Sequence, residues 1–444
     1  MFSGSAVRMY MERKFGTGRY HNGRGLRCAI HCGLIILFVL LVAPAQAQQY
    51  DLLLKGGHVI DPKNGIDGPM DVAIADGKIA RVASDIPAAD AERVVDVRGL
   101  YVTPGIIDIH VHVFHGTEPG AYIANAHTSL PPDGFTFRAG VTTVVDAGSS
   151  GWKNFRLFKS QTIDNSRTRV LALLNIVGTG MVGRLEEQDV SDMNPVMTAH
   201  MIRRMFPEHI VGIKAAHYWG DFTQVERAVE AGNLADVPVM VDFGEHDPPL
   251  SLETLLMEKL RPGDIFTHTY SYTRGREEVV DENSKVRPYI FKARERGIIF
   301  DVGHGGGSLI WHQVVPSMQQ GFYPDVISSD LHTGSMNDGM KDMANLMSKF
   351  LNVGMSLQDV IEASTWKPAQ VINREELGHL SEGAVADVAV FNLREGDFGF
   401  IDSRRRTLKG TQKLEAELTI REGRVVWDLN GRAVPMWDEE PLRY

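Results

Sequence analysis

Cysteine is nearly absent from this chain of 444 residues: the two it has, Cys28 and Cys32, both stand in the first tenth. Beyond them there can be no cysteine zinc site, iron–sulfur cluster, disulfide or thiol nucleophile, and any metal must sit on His, Asp, Glu or Lys. Basic charge is in deficit, with 46 Lys and Arg against 56 Asp and Glu and a net charge of −10. That balance argues against a protein that works by covering phosphates of nucleic acid. No Gly-rich fingerprint follows the first strand-like segment, which weighs against dinucleotide binding. No Gly-x-Ser-x-Gly elbow offers a serine nucleophile, and no repeat of 20–50 residues is visible beyond strand–helix alternation.

What is present is an apolar fraction of 43%, enough for a globular chain with a large core. Residues 1–31 carry Arg8, Arg13, Lys14, Arg19, Arg24 and Arg27 against one acid, Glu12; the apolar run Gly33–Val42 follows, then Ala43-Pro44-Ala45-Gln46-Ala47. A basic lead, a short apolar run and an Ala-x-Ala end read as a secretory signal peptide over 1–47, cleaved after Ala47. The alternative, a membrane anchor, needs ~20 apolar residues. The expected location is periplasmic or secreted, with no stable membrane anchor after cleavage. Without residues 1–47 the chain keeps 40 basic and 55 acidic side chains, a net charge of −15.

Short strand-like runs separated by turn residues fill 48–103. Asp76-Gly77 between two apolar runs predicts a type I′ hairpin. The C-terminal part echoes this pattern in Ala386–Leu393 and Leu418–Asp428, the latter with Glu422-Gly423 at its turn. The two β-rich ends, 48–103 and 376–444, predict one small β-sandwich built from both ends of the mature chain. Between them, over 104–375, eight Val/Ile-rich runs alternate with helical patterns: 105–113, 141–147, 170–177, 211–216, 237–243, 264–270, 297–302 and 325–329. Eight such units predict an α/β fold, a (β/α)8 TIM-like barrel, with an open doubly wound sheet as the alternative.

In a barrel, chemistry sits at the C-terminal ends of the strands. The first run ends Asp108-Ile109-His110-Val111-His112, and residues two apart on a strand share a face, so two imidazoles can hold one metal. The fourth run carries Lys214, the fifth Asp242, the sixth His268 and the eighth Asp330. A single His or Asp at a strand end is usually a solvated cap. A Lys within an apolar strand is harder to dismiss, because a buried unpaired ammonium is costly: either it faces outward or it is chemically changed. His-x-His, Lys, His and Asp in that order on one barrel form a strong constellation.

On these residues the chain resembles the amidohydrolase superfamily of metal-dependent hydrolases. Tyr101-Val102-Thr103-Pro104-Gly105-Ile106-Ile107-Asp108-Ile109-His110-Val111-His112 resembles its entry to the first strand, and Gly56–Asp61 its small β domain. The likeness covers 50 to about 430. Through Gly140–Ser149, Arg261-Pro262-Gly263-Asp264 and Asp301–Gly307 it is similar to the dihydroorotase-like amidohydrolase/deacetylase group. The resemblance implies that His110, His112 and Asp330 bind a first Zn2+, that Lys214 carboxylated by CO₂ bridges two ions, and that His268 binds the second. It also implies that Asp330 takes a proton from the attacking water and passes it to the leaving group, the metals supplying a water whose pKa falls toward ~7.

One departure stands out: the family commonly has His at the end of the fifth strand, and this chain has Asp242. Asp242 is expected as ligand or neighbouring acceptor, with His217, Glu245 and His246 as alternatives, or a site that holds its second ion weakly. His304, in the Gly-rich stretch 304–308, and His332 are expected to contact substrate; a flexible turn and an orienting partner of Asp330 are the plainer readings. The expected function is an exported hydrolase of an amide, cyclic amide or acyl ester of a small molecule. A dihydroorotase- or hydantoinase-type ring opener and a non-catalytic metal- or ligand-binding barrel are the alternatives. Specificity is expected in loops such as Ala121–Phe135, and a homo-oligomer is compatible with all of this.

Overall fold

The computed structural model describes residues 48–116, 126 and 128–438. The segment expected to be a signal peptide, 1–47, both cysteines, His127 and most of the loop 117–127 lie outside the described residues. No helix among the described residues is long and apolar enough to cross a membrane.

The first five strands, β1 (Leu52–Asp61), β2 (Ile66–Ala75), β3 (Lys78–Ala83), β4 (Val94–Asp96) and β5 (Tyr101–Pro104), open the chain. Asp76 and Gly77 join β2 to β3 with φ of 49° and 72°, the two positive values a type I′ turn requires. The chain returns to this sheet at its other end through β13 (Val388–Ile401), β14 (Thr407–Arg421) and β15 (Arg424–Asp428). Glu422 and Gly423, with φ of 51° and 76°, make the second turn of the same kind. The strand order is β15-β14-β13-β5-β1-β2-β3, with β4 also paired to β1. Leu52, Leu54, Val72, Val95, Val102, Val388, Val390, Leu418 and Ile420 pack into one cluster, so strands from both ends share one core. Ala389 and Phe391, on the opposite face of β13, join the large cluster of the barrel instead. The period-2 alternation of a strand thus lets one hairpin serve two cores.

Between these ends run β6 (Ile106–Val111), β7 (Val141–Gly151), β8 (Arg169–Asn175), β9 (Ile210–Ala215), β10 (Val239–Val241), β11 (Ile265–Phe266) and β12 (Ile299–Phe300). They form one parallel sheet in chain order. The eighth run, expected over 325–329, forms no continuous ladder. It closes the ring through single parallel bridges, Asp301 to Val326 on one side and Leu331 to Val111 on the other. Ile107, Ile109, Val145, Leu171, Leu173, Met240, Ile265 and Val326 fill the barrel, and Ala369, Val371, Ile372 and Leu377 belong to the same cluster. On the outside, the helix Thr223–Ala235 buries Val225, Ala228, Ala231, Gly232 and Ala235, a stripe at helical spacing.

Candidate metal centre and active site

The strand ends bring the predicted polar residues into one cavity of about 770 Å³, lined among others by His110, His112, Lys214, His217, Asp242, His268, Asp330 and His332. That volume suits a small-molecule site.

His110 and His112 leave β6 where its register with β7 shifts, between Asp108 and Val111. Asp108 is buried beneath them and accepts from the backbone N–H of Ser329 at 3.0 Å and from the Ser329 hydroxyl, which ties the eighth run to the first strand. Burial pushes Asp108 up to about 7 against these hydrogen bonds. His110 Nδ1 lies 3.0 Å from Thr267 Oγ1. That hydroxyl donates to Asp301 Oδ2 at 2.6 Å, so it accepts from the imidazole N–H. The relay leaves Nε2 of His110 as a lone pair facing the site. Burial, then the nearby Lys214, hold His110 down to about 3, so it is neutral, as a ligand must be. His112 Nδ1 is 3.0 Å from Ser149 Oγ, and its Nε2 is 3.2 Å from Asp330 Oδ1. One donor atom each of His110, His112 and Asp330 lies within 4.8 Å of the others. Asp330 has φ of 50°. Burial opposes its ionisation, but His110, His112 and His332 outweigh that and hold its pKa far below the carboxylate range.

The second group faces this triad. His268 Nδ1 donates to Gly303 O at 2.6 Å, and its Nε2 is 3.3 Å from Asp242 Oδ2. His217 Nδ1 is 2.9 Å from Glu187 Oε2, and its Nε2 is 3.4 Å from the same Asp242 oxygen. Burial disfavours charge on His217, but the carboxylates of Asp242 and Glu187 raise it to about 10. Burial likewise opposes charge on Asp242, which His268 and His217 nevertheless hold well below the usual range.

Lys214 on β9 lies between the two groups. Its side chain is wholly buried, with Nζ 3.1 Å from His110 Nε2 and 3.6 Å from Met240 Sδ. No carboxylate among the described residues lies in ion-pair range of it. Burial lowers its pKa despite Asp242 and Asp330, which favours the free amine, the form that reacts with CO₂.

Of the other expected residues, His332 lines the cavity with Nε2 3.9 Å from Asp330 Oδ2. His304 does not face the cavity. Gly303 and Gly305, with φ of 48° and 52°, turn the chain twice, and the ring of His304 is fully buried between Gly305 O at 2.8 Å and Lys349 Nζ at 2.6 Å. Of the alternatives to Asp242, His217 comes to Asp242 itself. Glu245 pairs with Arg184, and His246 sets Nδ1 3.2 Å from Gly220 O. Sequence reasoning missed Thr267, Asp301, Ser149 and Glu187, which orient the imidazoles. Asp301 and Ser149 fell inside quoted motifs, yet nothing in spacing separates an orienting hydroxyl or carboxylate from a turn residue.

A closed parallel barrel with His-x-His, Lys, His and Asp converging at its C-terminal mouth defines the class of metal-dependent hydrolases. Comparison with known proteins agrees. A model described as "Amidohydrolase family" matches residues 313–426. A deacetylase of Agrobacterium fabrum is 36% identical over 341 residues, covering 74% of this chain and 79% of that protein. A crystal structure of a dihydroorotase aligns with a TM-score of 0.74 at 33% identity, over 85% of this chain and 99% of that one. One of an adenine deaminase aligns at 0.76 and 28% identity, over 85% and 100%. The chain belongs to the amidohydrolase family and is a metal-dependent amidohydrolase.

Proposed function

We propose that the protein is a deacetylase-like enzyme that hydrolyses an acyl amide or acyl ester at a pair of zinc ions. The observation that carries this is the orientation of four imidazoles: His110, His112, His217 and His268 each have Nδ1 engaged and Nε2 turned toward Asp330 or Asp242. Carboxylate and imidazole, which gives up its proton on binding, are the donors zinc takes in a cysteine-free chain. In this reading His110, His112 and Asp330 hold one ion, and His268, His217 and Asp242 surround the other. Lys214, if carboxylated, would offer two oxygens to metal here: carbamylation would remove a buried ammonium that has no acid beside it among the described residues. The ions, when bound, supply a nucleophilic water at neutral pH and polarise the acyl oxygen. Asp330, held ionised by its three histidines, accepts the proton of that water and returns it to the leaving nitrogen or oxygen. His332 faces the second oxygen of Asp330 and orients it.

The deacetylase relative supports the acyl reading. The likeness to a dihydroorotase structure supports a second one, opening of a cyclic amide. Metal analysis followed by an assay of acetate release from N-acetyl amino acids and O-acetyl hydroxy acids separates them. Acetate release is the expected result; turnover of cyclic amides alone selects the second reading, and full metal without any turnover selects a binding protein. We also propose export, on the basic, apolar and Ala-x-Ala order of residues 1–47. Fractionation of cells and N-terminal sequencing of the processed protein test it, with Gln48 as the expected first residue.

A further inference from the structure

The two longest strands leave their own sheet. β13 pairs with β5 only over Val388–Phe391, whereas its pairing with β14 runs on to Ile401 opposite Thr407. The free part of this hairpin lies on the barrel. Phe400 and Leu414 are buried in the barrel's cluster. Asn352, just after the helix Met343–Leu351, accepts from Thr411 N–H at 2.8 Å and donates to Gln412 O at 2.7 Å.

The tip, 402–406, is tied to the segment that follows β12. Asp402 is wholly buried. Its Oδ1 accepts from the N–H groups of Arg404 and Arg406 at 2.9 and 2.8 Å, which shapes the turn, and its Oδ2 accepts from that of Trp311 at 3.1 Å. Ser403 N–H donates to Leu309 O at 2.9 Å, and Ser403 Oγ accepts from Leu309 N–H at 3.2 Å. Trp311 Nε1 donates to Arg406 O at 3.0 Å. Closing a hairpin needs only a tight turn; these bonds to 309–311 do something else.

The tied segment is cavity wall. Gly306, Gly307 and Ser308 line the cavity directly before Leu309. Gly305 donates its N–H to Ser329 O at 2.9 Å and leaves no room for a Cβ beside the Asp330 carboxylate. Ser308 N–H turns back to His304 O at 3.1 Å. His304 meets Lys349, which also donates to Ile401 O at the end of β13. The hairpin thus grips both ends of 304–311, directly at Leu309 and Trp311 and through Lys349 at His304. Arg404 sits 6.0 Å over the ring of Tyr272, another cavity residue.

We propose that Asp402 and Ser403 are positioning residues for catalysis: the hairpin of the small β domain fixes the wall 305–308 against Asp330 and so holds that carboxylate where it moves the proton. This rests on the reading of Asp330 as proton carrier. Neither residue touches substrate; each acts through the backbone of 309–311.

Hydrogen exchange and steady-state kinetics of the metal-loaded protein test this in Ser403→Ala, in Asp402→Asn, whose amide accepts on one side only, and in Ser403→Thr. Leu309 and Trp311 lose an acceptor outright, so the amides that decide are those of Gly305 and Ser308, whose own partners stay in place. In Ser403→Ala and Asp402→Asn these two are expected to exchange about 10-fold faster, with β6–β8 protected as in wild type. kcat for acetate release is expected to fall about 10- to 100-fold, the cost of a misplaced reacting group, and KM to change less than about twofold. Ser403→Thr, which keeps the hydroxyl, is expected to retain both protection and kcat. Wild-type protection at Gly305 and Ser308 in both variants, faster exchange there with unchanged kcat, or a loss of protection that spreads through β6–β8 overturns the proposal. If wild type releases acetate from no compound, the acyl reading falls, and the first ion decides instead. A chelator is then expected to remove the ion on Asp330 about 10-fold more readily from Asp402→Asn than from wild type, and equal retention overturns the proposal.

Discussion

The two halves of the metal centre are built differently. His110 and His112 stand at the end of a strand, buried, each with a hydroxyl behind its ring, and the Thr267–Asp301 pair behind His110 lies on two neighbouring strand ends. The facing half depends on loop geometry. His217 and His268 have φ of 60° and 55°, and His217 is oriented by Glu187 from the segment between β8 and β9. Left-handed backbone in a residue other than Gly is sustained only by its surroundings. The comparison teaches that the first half is a property of the barrel and the second of the loops around it, so the two should differ in how firmly they hold metal.

The severest test spans both halves. Lys214→Ala is expected to lower kcat on the order of 10³-fold or more, since the proposed carbamate would be a ligand shared by both ions; acetate or formate added to the variant is expected to restore part of it, and wild-type turnover in the variant would refute the carbamate. Next, His112→Asn should empty the first half, whereas Asp242→Asn should weaken only the second ion, about 10- to 100-fold. Chelator titration followed by metal analysis reads this as one ion leaving before the other; simultaneous loss in wild type breaks the comparison. Thr267→Val removes the relay behind His110 and is expected to cost the first ion about 10- to 100-fold in affinity, with Asp242's side unchanged.

The smallest effects lie behind the Asp330 side. Lys349 is buried and donates to Gly339 O at 2.8 Å and Ile401 O at 2.7 Å, besides meeting His304. Lys349→Met leaves these acceptors without their donor and is expected to cost roughly 2–3 kcal/mol by denaturant unfolding. Burial pushes Lys349 down to about 7 from 10.5, although Asp402 opposes this. Between those values the unfolded chain binds a proton that the folded one has lost, so this group makes folding more favourable as pH rises. The stability gap between wild type and Lys349→Met should widen above pH 7 by at most roughly 1.4 kcal/mol per pH unit; a gap that narrows assigns Lys349 the opposite sign.

Strand ends were legible in the sequence because an apolar run that stops at His, Lys or Asp marks both a barrel strand and its open end. Lys214 was legible because an ammonium within such a run is costly unless it faces outward, and the structure buries it. Two turns, Asp76-Gly77 and Glu422-Gly423, declared themselves through residues that tolerate positive φ. The eighth stave was legible as a run but not as a pair of bridges. What stayed hidden depends on loop paths. His304 reads as a site residue beside Asp301, yet two left-handed glycines swing it inward to a lysine 45 positions later. His217 reads only as one of three alternatives to Asp242, yet one left-handed turn sets it on Asp242 itself. Neither outcome has a periodicity to betray it.

Close packing beneath the centre also sets where this enzyme can change. A Cβ at Gly305 would fall 2.2 Å from Asp330 Oδ2, one at Gly303 would crowd the Nδ1 atoms of His268 and His110 at 2.8 and 3.0 Å, and one at Gly148 would press on the Lys214 stem at 2.7 Å. For an engineer these three positions are closed to any side chain, whatever its chemistry. The rim is open by comparison: Arg184, Tyr272 and Arg274 are exposed at the same cavity. Libraries aimed at new substrates belong there, with the floor left as it is.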